Sequence, residues 1–339
     1  MTNIKELKNR YYGVTGVNVV NSMPNADFDH LPPRTYNDLF MSSNFSYKYG
    51  MRIWYKTLGY SVLGLRQMKQ FKNKLVPKTI DEIFTDDTNI VLKKDTDMKK
   101  VLEHLLEYTD VRQHGVTFPV NDNNISITGA TQITDGINLD NETNLIENVT
   151  GSQFRNSSEK KSNASETTLG SRNILDHAMY AHSFSVIPNS YEEYKKILDN
   201  FEGYTEEDFK IFKKAILHGI SHLNSVAKTG CTNAFAIFVK CKENAIPTMG
   251  NLHLYVSYKR TGLKDKRVMG ELDITDLFQY LKPKVNKIED IEIYIQPLIL
   301  SVVADIDGEK VTIDNSNSHK LFDGKVSVRL YEIEEEILL

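Results

Sequence analysis

Cysteine is nearly absent from these 339 residues: Cys231 and Cys241 are the only two. They form no CxxC, so neither a disulfide framework nor a thiolate metal site is supported, and a reducing compartment fits. Long apolar runs are also missing. The longest, "PLILSVVA", is far too short to span a bilayer. The opening "MTNIKELKNRYY" has no apolar h-region, so the sequence predicts no signal peptide and a cytoplasmic protein. Six Asn-x-Ser/Thr sequons therefore reflect Asn and Ser/Thr abundance rather than glycosylation. A basic excess is missing as well: the net charge of −4 argues against a simple nucleic-acid binder, so any such binding must come from local patches. No GxSxG, P-loop or GxGxxG in its proper context occurs.

What is present is an ordinary globular composition, 40% apolar and 25% charged, long enough for one large domain or two modest ones. Residues 11–20 read as a strand. Residues 47–60 read as a helix with Met51, Tyr55 and Leu58 on one face, and 98–108 as a second with Met98, Val101, Leu102 and Leu105 in register. "GVTFPV" and "ISITGATQI" are two strands joined by "NDNN". Fifteen of the 34 residues from 137 to 170 are Asn, Ser or Thr, with little periodicity, which predicts a long flexible insertion. A strand follows at "NILDHAMYAHSFSVI". The strongest helix is next: Thr205 and Asp208 form its capping box, Tyr204 is placed to staple onto Phe209, and Phe209, Phe212, Ile216, Ile220 and Leu223 form its stripe. Strands at "NAFAIFVKC" and "NLHLYVSYK", a helix at "DITDLFQYL" and strands near 290–305 and 325–332 complete the chain. Interspersed strands and helices with hairpin-like pairs predict an α+β class.

Charge is unevenly placed. Residues 39–80 hold eight Lys/Arg and no acid. Lys48, Arg52 and Lys56 recur at i, i+4, i+8, along one helical face, with Tyr47, Tyr49, Trp54, Tyr55 and Tyr60 interleaved. Basic groups reach phosphates and aromatic faces stack on bases; core aromatics behind a solvated face give the same pattern. A second cluster is Lys259, Arg260, Lys264, Lys266 and Arg267, a hairpin tip touching RNA or a soluble loop. Asp27 and Asp29 leave three roles open: a metal site, a catalytic pair, or acceptors within a Pro/Asn turn. His218 and His222, at i, i+4, lack the HExxH glutamate and lie opposite the apolar stripe, as surface or interface histidines do. Lys228 in "SVAKTG" follows the long helix, where, taken alone, a plain helix terminus with Lys favoured by the dipole outweighs a phosphate contact.

Six segments resemble, in order, the crRNA-binding backbone subunit of type I CRISPR Cascade, the Cas seven family of the RAMP superfamily, nearest its I-B and I-C branches. "MPNADFDHLPPR" is similar at Pro24, Asn25, Asp27, Pro33 and Arg34; "YKYGMRIWYK" at Lys48, Arg52 and Lys56; "DVRQHG" at Asp110, Val111, Arg112 and Gly115. "SITGATQ" supplies Gly129 and Gln132, "LGSRNILDHAMY" Gly170, Arg172 and Tyr180, and "SVAKTG" Ser225, Lys228 and Gly230. The resemblance spans about residues 11–270. It departs at Ala26, where the family has Gly, and at Val226, where it has Arg.

The resemblance implies an RRM-like (ferredoxin-like) palm with an antiparallel sheet over the whole chain, a basic finger-like insertion at 22–95 and a thumb-like one at 137–172. It implies a non-catalytic protein with no cofactor. Its partners are a crRNA guide, target DNA through guide pairing, copies of itself and other Cascade subunits, with no membrane. Asn25, Arg34, Lys48, Arg52, Lys56, Gln132, Arg172 and Lys228 would contact RNA, and Leu145, Ile146 or Phe154 would wedge beside a displaced base. The alternative is a metal-dependent target-RNA endoribonuclease using Asp27 or Asp29.

Overall fold

A strand buried on both faces organises the chain. In the computed structural model, which describes residues 5–120, 123–152 and 168–334, β1 (Tyr11–Ser22) is buried along its first nine residues. Its odd positions Tyr11, Val17 and Val19 enter one apolar core and its even positions Tyr12 and Val14 enter another. A strand covered on both sides reads as a near-continuous apolar run, which is why no clean alternation marks it. Two glycines let bulky neighbours cross it: a Cβ on Gly13 would stand 2.2 Å from the Phe184 ring, and one on Gly16 2.0 Å from the Phe235 ring.

After β1 come β2 (Met41–Ser42), α1 (Asn44–Thr57), the hairpin β3 (Met68–Phe71) and β4 (Lys74–Pro77), then α2 (Ile80–Thr88), α3 (Met98–Leu105) and α4 (Thr109–His114). A second hairpin, β5 (Gly115–Val120) and β6 (Asn123–Thr128), leads to β7 (Thr131–Ile133), β8 (Gly136–Asn138), β9 (Leu145–Ser152) and the 19-residue β10 (Thr168–Val186). Then follow α5 (Glu192–Ile197), α6 (Glu206–His218), β11 (Cys231–Cys241), β12 (Ser257–Lys264), β13 (Arg267–Asp273), α7 (Thr275–Leu281), β14 (Ile288–Ile295), β15 (Leu300–Ile306), β16 (Glu309–Thr312) and β17 (Ser327–Glu332).

The main sheet runs β17-β14-β11-β1-β10-β8-β2, with β7 and β9 also on β10. Its pairs are antiparallel except β14 with β17. One face packs on α1, α3 and α6 through Tyr47, Met51, Tyr55, Leu105, Phe212 and Ile216. The other packs on a four-stranded sheet, β12-β13-β15-β16, and on α7 through Phe235, Ile237, Leu272, Leu277 and Leu300. The α+β class holds, with a mixed rather than wholly antiparallel sheet: β13 also pairs parallel with β15.

Local differences have physical reasons. Residues 252–255 form a 3-10 turn rather than the start of a strand, because Asn251 takes a left-handed φ of 51° just before them. Leu58 caps α1 and is exposed instead of sharing its buried face. The long helix stops at His218, and Ile220 and Leu223 are buried in the turn beyond it. Where no regular structure was expected within 137–170, β9 pairs with the first half of β10, from Leu145 opposite Leu175 to Ser152 opposite Thr168. These two strands form an arm; the ladder needs only backbone groups, so polar composition does not forbid it. The α6 capping box is present as expected, with Thr205 Oγ1 accepting from the Asp208 amide at 3.1 Å and Asp208 accepting from the Thr205 amide at 2.8 Å. Cys231 and Cys241 sit buried at opposite ends of β11, and burial raises each thiol to about 12. Among the described residues no helix is long and apolar enough to cross a membrane.

Candidate nucleic-acid interface

Four segments meet where β1 leaves the sheet. The "SVAKTG" turn latches onto the strand end: Val20 N–H donates to Gly230 O at 2.9 Å, Met23 N–H to Ala227 O at 2.7 Å, and Gly230 N–H to Ser22 Oγ at 2.9 Å. A Cβ on Gly230 would lie 2.1 Å from Val20 O, so only glycine allows this approach. The loop after β1 then fixes the start of α1. Ser46 Oγ donates to Pro24 O at 2.7 Å, and the Ser43 amide donates to Asn25 Oδ1 at 3.0 Å. Asp135, from the β7–β8 turn, accepts both the amide and the side-chain Nδ2 of Asn44 at 2.7 Å. The arm joins through Asn173, whose Nδ2 donates to His30 O at 3.1 Å. Lys228 Nζ lies 5.7 Å from the centre of the Tyr49 ring, on the first turns of α1.

Asp27 is a turn builder. Its Oδ1 accepts from the amides of Asp29 and Leu31, both at 2.9 Å, the pattern of an Asx turn. Asp29 is exposed beside it. Among the described residues no group of three or more His, Cys, Asp or Glu is placed to hold a metal. His222 Nδ1 donates to the His218 backbone carbonyl at 3.0 Å, and among the described residues neither histidine belongs to a group of three or more potential metal ligands. Both histidines are half-buried, and burial lowers the pKa of His218.

The basic row on α1 divides by environment. Lys48 is half-buried; desolvation first, then the Arg52 charge, lower its pKa, and an anion beside it would act in the opposite direction. Arg52 is committed inside the chain. Its Nε donates to Asp110 Oδ2 at 2.9 Å, while Asp110 also accepts the Leu63 and Gly64 amides at 2.9 and 2.8 Å. Lys56 is exposed near the far end of the helix, about 12 Å along the axis from Lys48. The neighbouring Arg112 is likewise internal: it grips Asp208, with Nε to Oδ1 at 2.9 Å and a second bond from Nη2, and donates to Gly203 O at 2.9 Å. Of the interleaved aromatics, Tyr47, Trp54 and Tyr55 are core residues, and Tyr49 is exposed.

Arg34 stacks on Phe40, 4.0 Å from its ring centre, and pairs with the Asp38 carboxylate at 3.1 Å. Gln132 is exposed and donates to Gly129 O at 3.3 Å. Arg172 lies on the arm opposite Asn148. Leu145 and Ile146 stand at the arm's base, opposite the buried Leu175 and Ile174, and Phe154 lies outside the described residues. Asn25 and Lys228 are thus brought to the β1 exit, with Arg172 next to the Asn173 contact and Lys48 one helical turn beyond Asn44, within the field of Asp135. Arg52 is held apart by its carboxylate and Lys56 by distance.

Sequence reasoning missed the exposed aromatics of this end. Phe28 and Tyr36 are essentially fully exposed, and Phe45 is 74% exposed in the first turn of α1. Their signal was available: large aromatics in segments whose Pro, Asn and Asp content predicts turns have no core to enter.

An α+β chain with a basic, aromatic-bearing end and a projecting β-arm is the class that this geometry defines. The chain belongs to the family described as CRISPR-associated protein Cas7, which it matches over residues 9–277. Among solved structures it is similar to a chain of a "CRISPR RNA-guided surveillance complex, pre-nicking", at a TM-score of 0.51 and 10% identity, covering 97% of this chain and 99% of that one. A chain of another "CRISPR RNA-guided surveillance complex" gives a TM-score of 0.44 at 9% identity, over 84% of this chain and 88% of that one. No curated protein sequence matches it.

Proposed function

We propose that this protein is a non-catalytic crRNA-binding backbone subunit of a CRISPR surveillance complex, with copies arrayed along one guide in the cytoplasm. The observation that carries it is the convergence of Asn25, Lys228 and the arm at the β1 exit, with Lys48 one helical turn beyond Asn44 and within the field of Asp135, in a chain of this family. Phosphate contacts need no base identity, which suits a protein that must accept any spacer. The main sheet serves as an RRM-like palm, 22–95 as a finger-like insertion and 137–172 as a thumb-like one. Exposed Phe28, Tyr36 and Phe45 offer stacking faces of about 1–3 kcal/mol per base. Target DNA pairs with the guide segments left open between arms.

The ribonuclease alternative loses support because Asp27 Oδ1 already accepts two amides. Incubating the RNA-bound protein with complementary RNA and Mg²⁺ tests it, and intact RNA is expected. Cleavage abolished by Asp27→Ala would reverse the assignment. For the guide itself, Lys48→Ala with Lys228→Ala is expected to weaken single-stranded RNA binding at least tenfold. The same pair should flatten its salt dependence by about 1.4 log units per decade, about 0.7 for each phosphate no longer neutralised.

A further inference from the structure

The β12–β13 hairpin carries a second basic group. Its two-residue turn, Asp265–Lys266, has both φ angles left-handed, 50° and 67°, the backbone of a tight hairpin loop. A bulge separates Arg260 from Gly262, and β12 is the free edge of its sheet. Lys259, Lys264 and Lys266 are exposed, and none of them joins an ion pair among the described residues. Many of the protein's other lysines are paired, among them Lys69, Lys78, Lys99, Lys195 and Lys240. Leu263 adds an exposed apolar group at the tip.

The root of this hairpin is bolted to the root of the β9–β10 arm. Arg260 Nε donates to Asp140 Oδ2 at 2.7 Å, its Nη2 to His177 O at 3.3 Å, and its Nη1 lies 3.8 Å from Asp176. Asp140 Oδ2 also meets His177 Nδ1 at 2.5 Å, and the His177 ring stacks on Tyr258, one strand position from Lys259, with ring centres 5.9 Å apart. The same two carboxylates shape the start of the arm: Asp140 accepts the Glu142 amide at 3.0 Å and Asp176 the Asn144 amide at 2.7 Å. The Asp140 and His177 side chains are each 2% exposed. A buried charge cluster is costly to desolvate and adds little net stability, but it holds one arrangement of the groups it joins. Here it joins the β12–β13 hairpin to the β9–β10 arm, and Lys264 stands four residues beyond Arg260, about 13 Å out at the strand rise.

We propose that the β12–β13 hairpin is a second phosphate-binding arm for single-stranded nucleic acid, with Lys264 and Lys266 as its contacts and Arg260 as the positioning residue that sets it against the first arm. This rests on the RNA-binding reading above.

The test is fluorescence anisotropy of the full chain with a labelled single-stranded RNA, titrated with salt, for wild type, Lys264→Ala/Lys266→Ala, Arg260→Met, Arg260→Lys and the triple variant. The lysine pair is expected to lower the log–log salt slope by about 1.4. Arg260→Met, which keeps both lysines, should lower it comparably, Arg260→Lys should restore most of it, and the triple variant should fall no further than the lysine pair. An unchanged slope in the lysine pair overturns the second arm while leaving guide binding intact, and points to an acidic protein surface as the hairpin's partner. Full additivity of Arg260→Met with the lysine pair overturns the positioning role. Should Arg260→Met fail to fold, the exposed lysine pair decides the arm and Arg260→Lys the positioning. Absence of RNA binding by the wild type overturns the guide-binding reading and this proposal together.

Discussion

Replacing Arg52 by methionine would strip the charged partner from Asp110, whose side chain is 3% exposed. The carboxylate would keep the Leu63 and Gly64 amides but lose the guanidinium, and breaking one side of such a pair costs about 3–5 kcal/mol. Urea unfolding of Arg52→Met should show a loss of that order, whereas Lys56→Ala, on an exposed residue, should change stability by no more than about 0.5 kcal/mol. Equal effects would mean that the Arg52–Asp110 pair carries no special weight. These arginines also show the limit of what single residues disclose. The i, i+4, i+8 row is legible from spacing, yet spacing does not reveal that Asp110, 58 positions later, claims Arg52. Asp27 was legible as a turn acceptor from its Pro/Asn surroundings, and its two amide bonds fit that chemistry.

At the scale of elements, the strong patterns were visible and the paired ones were not. The α6 capping box is local, spanning three residues, so sequence alone locates it. The β9–β10 arm depends on a ladder between segments that an Asn/Ser/Thr-rich stretch separates, and no side-chain periodicity announces it. If the arm closes over bound RNA, amides of residues 145–152 should gain hydrogen-exchange protection on RNA addition, while those of β11, at the centre of the sheet, should not change. Equal protection of the arm with and without RNA would separate it from guide binding. Thr205→Ala should destabilise α6 by about 1 kcal/mol, measured by thermal unfolding, without altering RNA affinity.

For the whole molecule, buried histidines set an acid limit. His182 lies wholly inside, donating Nδ1–H to Thr134 O at 2.9 Å, and burial lowers its pKa to about 4. Burial first, then the Arg52 and Lys48 charges, also hold His114 well below its ordinary value. Between pH 6.5 and 4 the unfolded chain binds protons that the folded one refuses, so stability falls as pH drops through that window. His182 alone contributes about 3 kcal/mol to that loss. Urea midpoints at pH 7 and pH 5 measure it, and a midpoint that holds or rises at pH 5 would contradict the assignment. The global charge of −4 gave no hint of nucleic acid: 45 acidic residues outnumber 41 basic ones in the sum, which hides local groups such as Lys228 at the β1 exit and Lys264 and Lys266 at the β12–β13 tip.

Guide binding by the assembled protein is the central claim, and the most direct measurement is the nucleic acid that travels with it. The chain should be expressed with a CRISPR array, purified at low salt and tested for absorbance ratio and extracted RNA length. The account predicts a 260/280 ratio well above that of pure protein, RNA of one uniform length, and its release at high salt. An RNA-free monomer from the same preparation would contradict it.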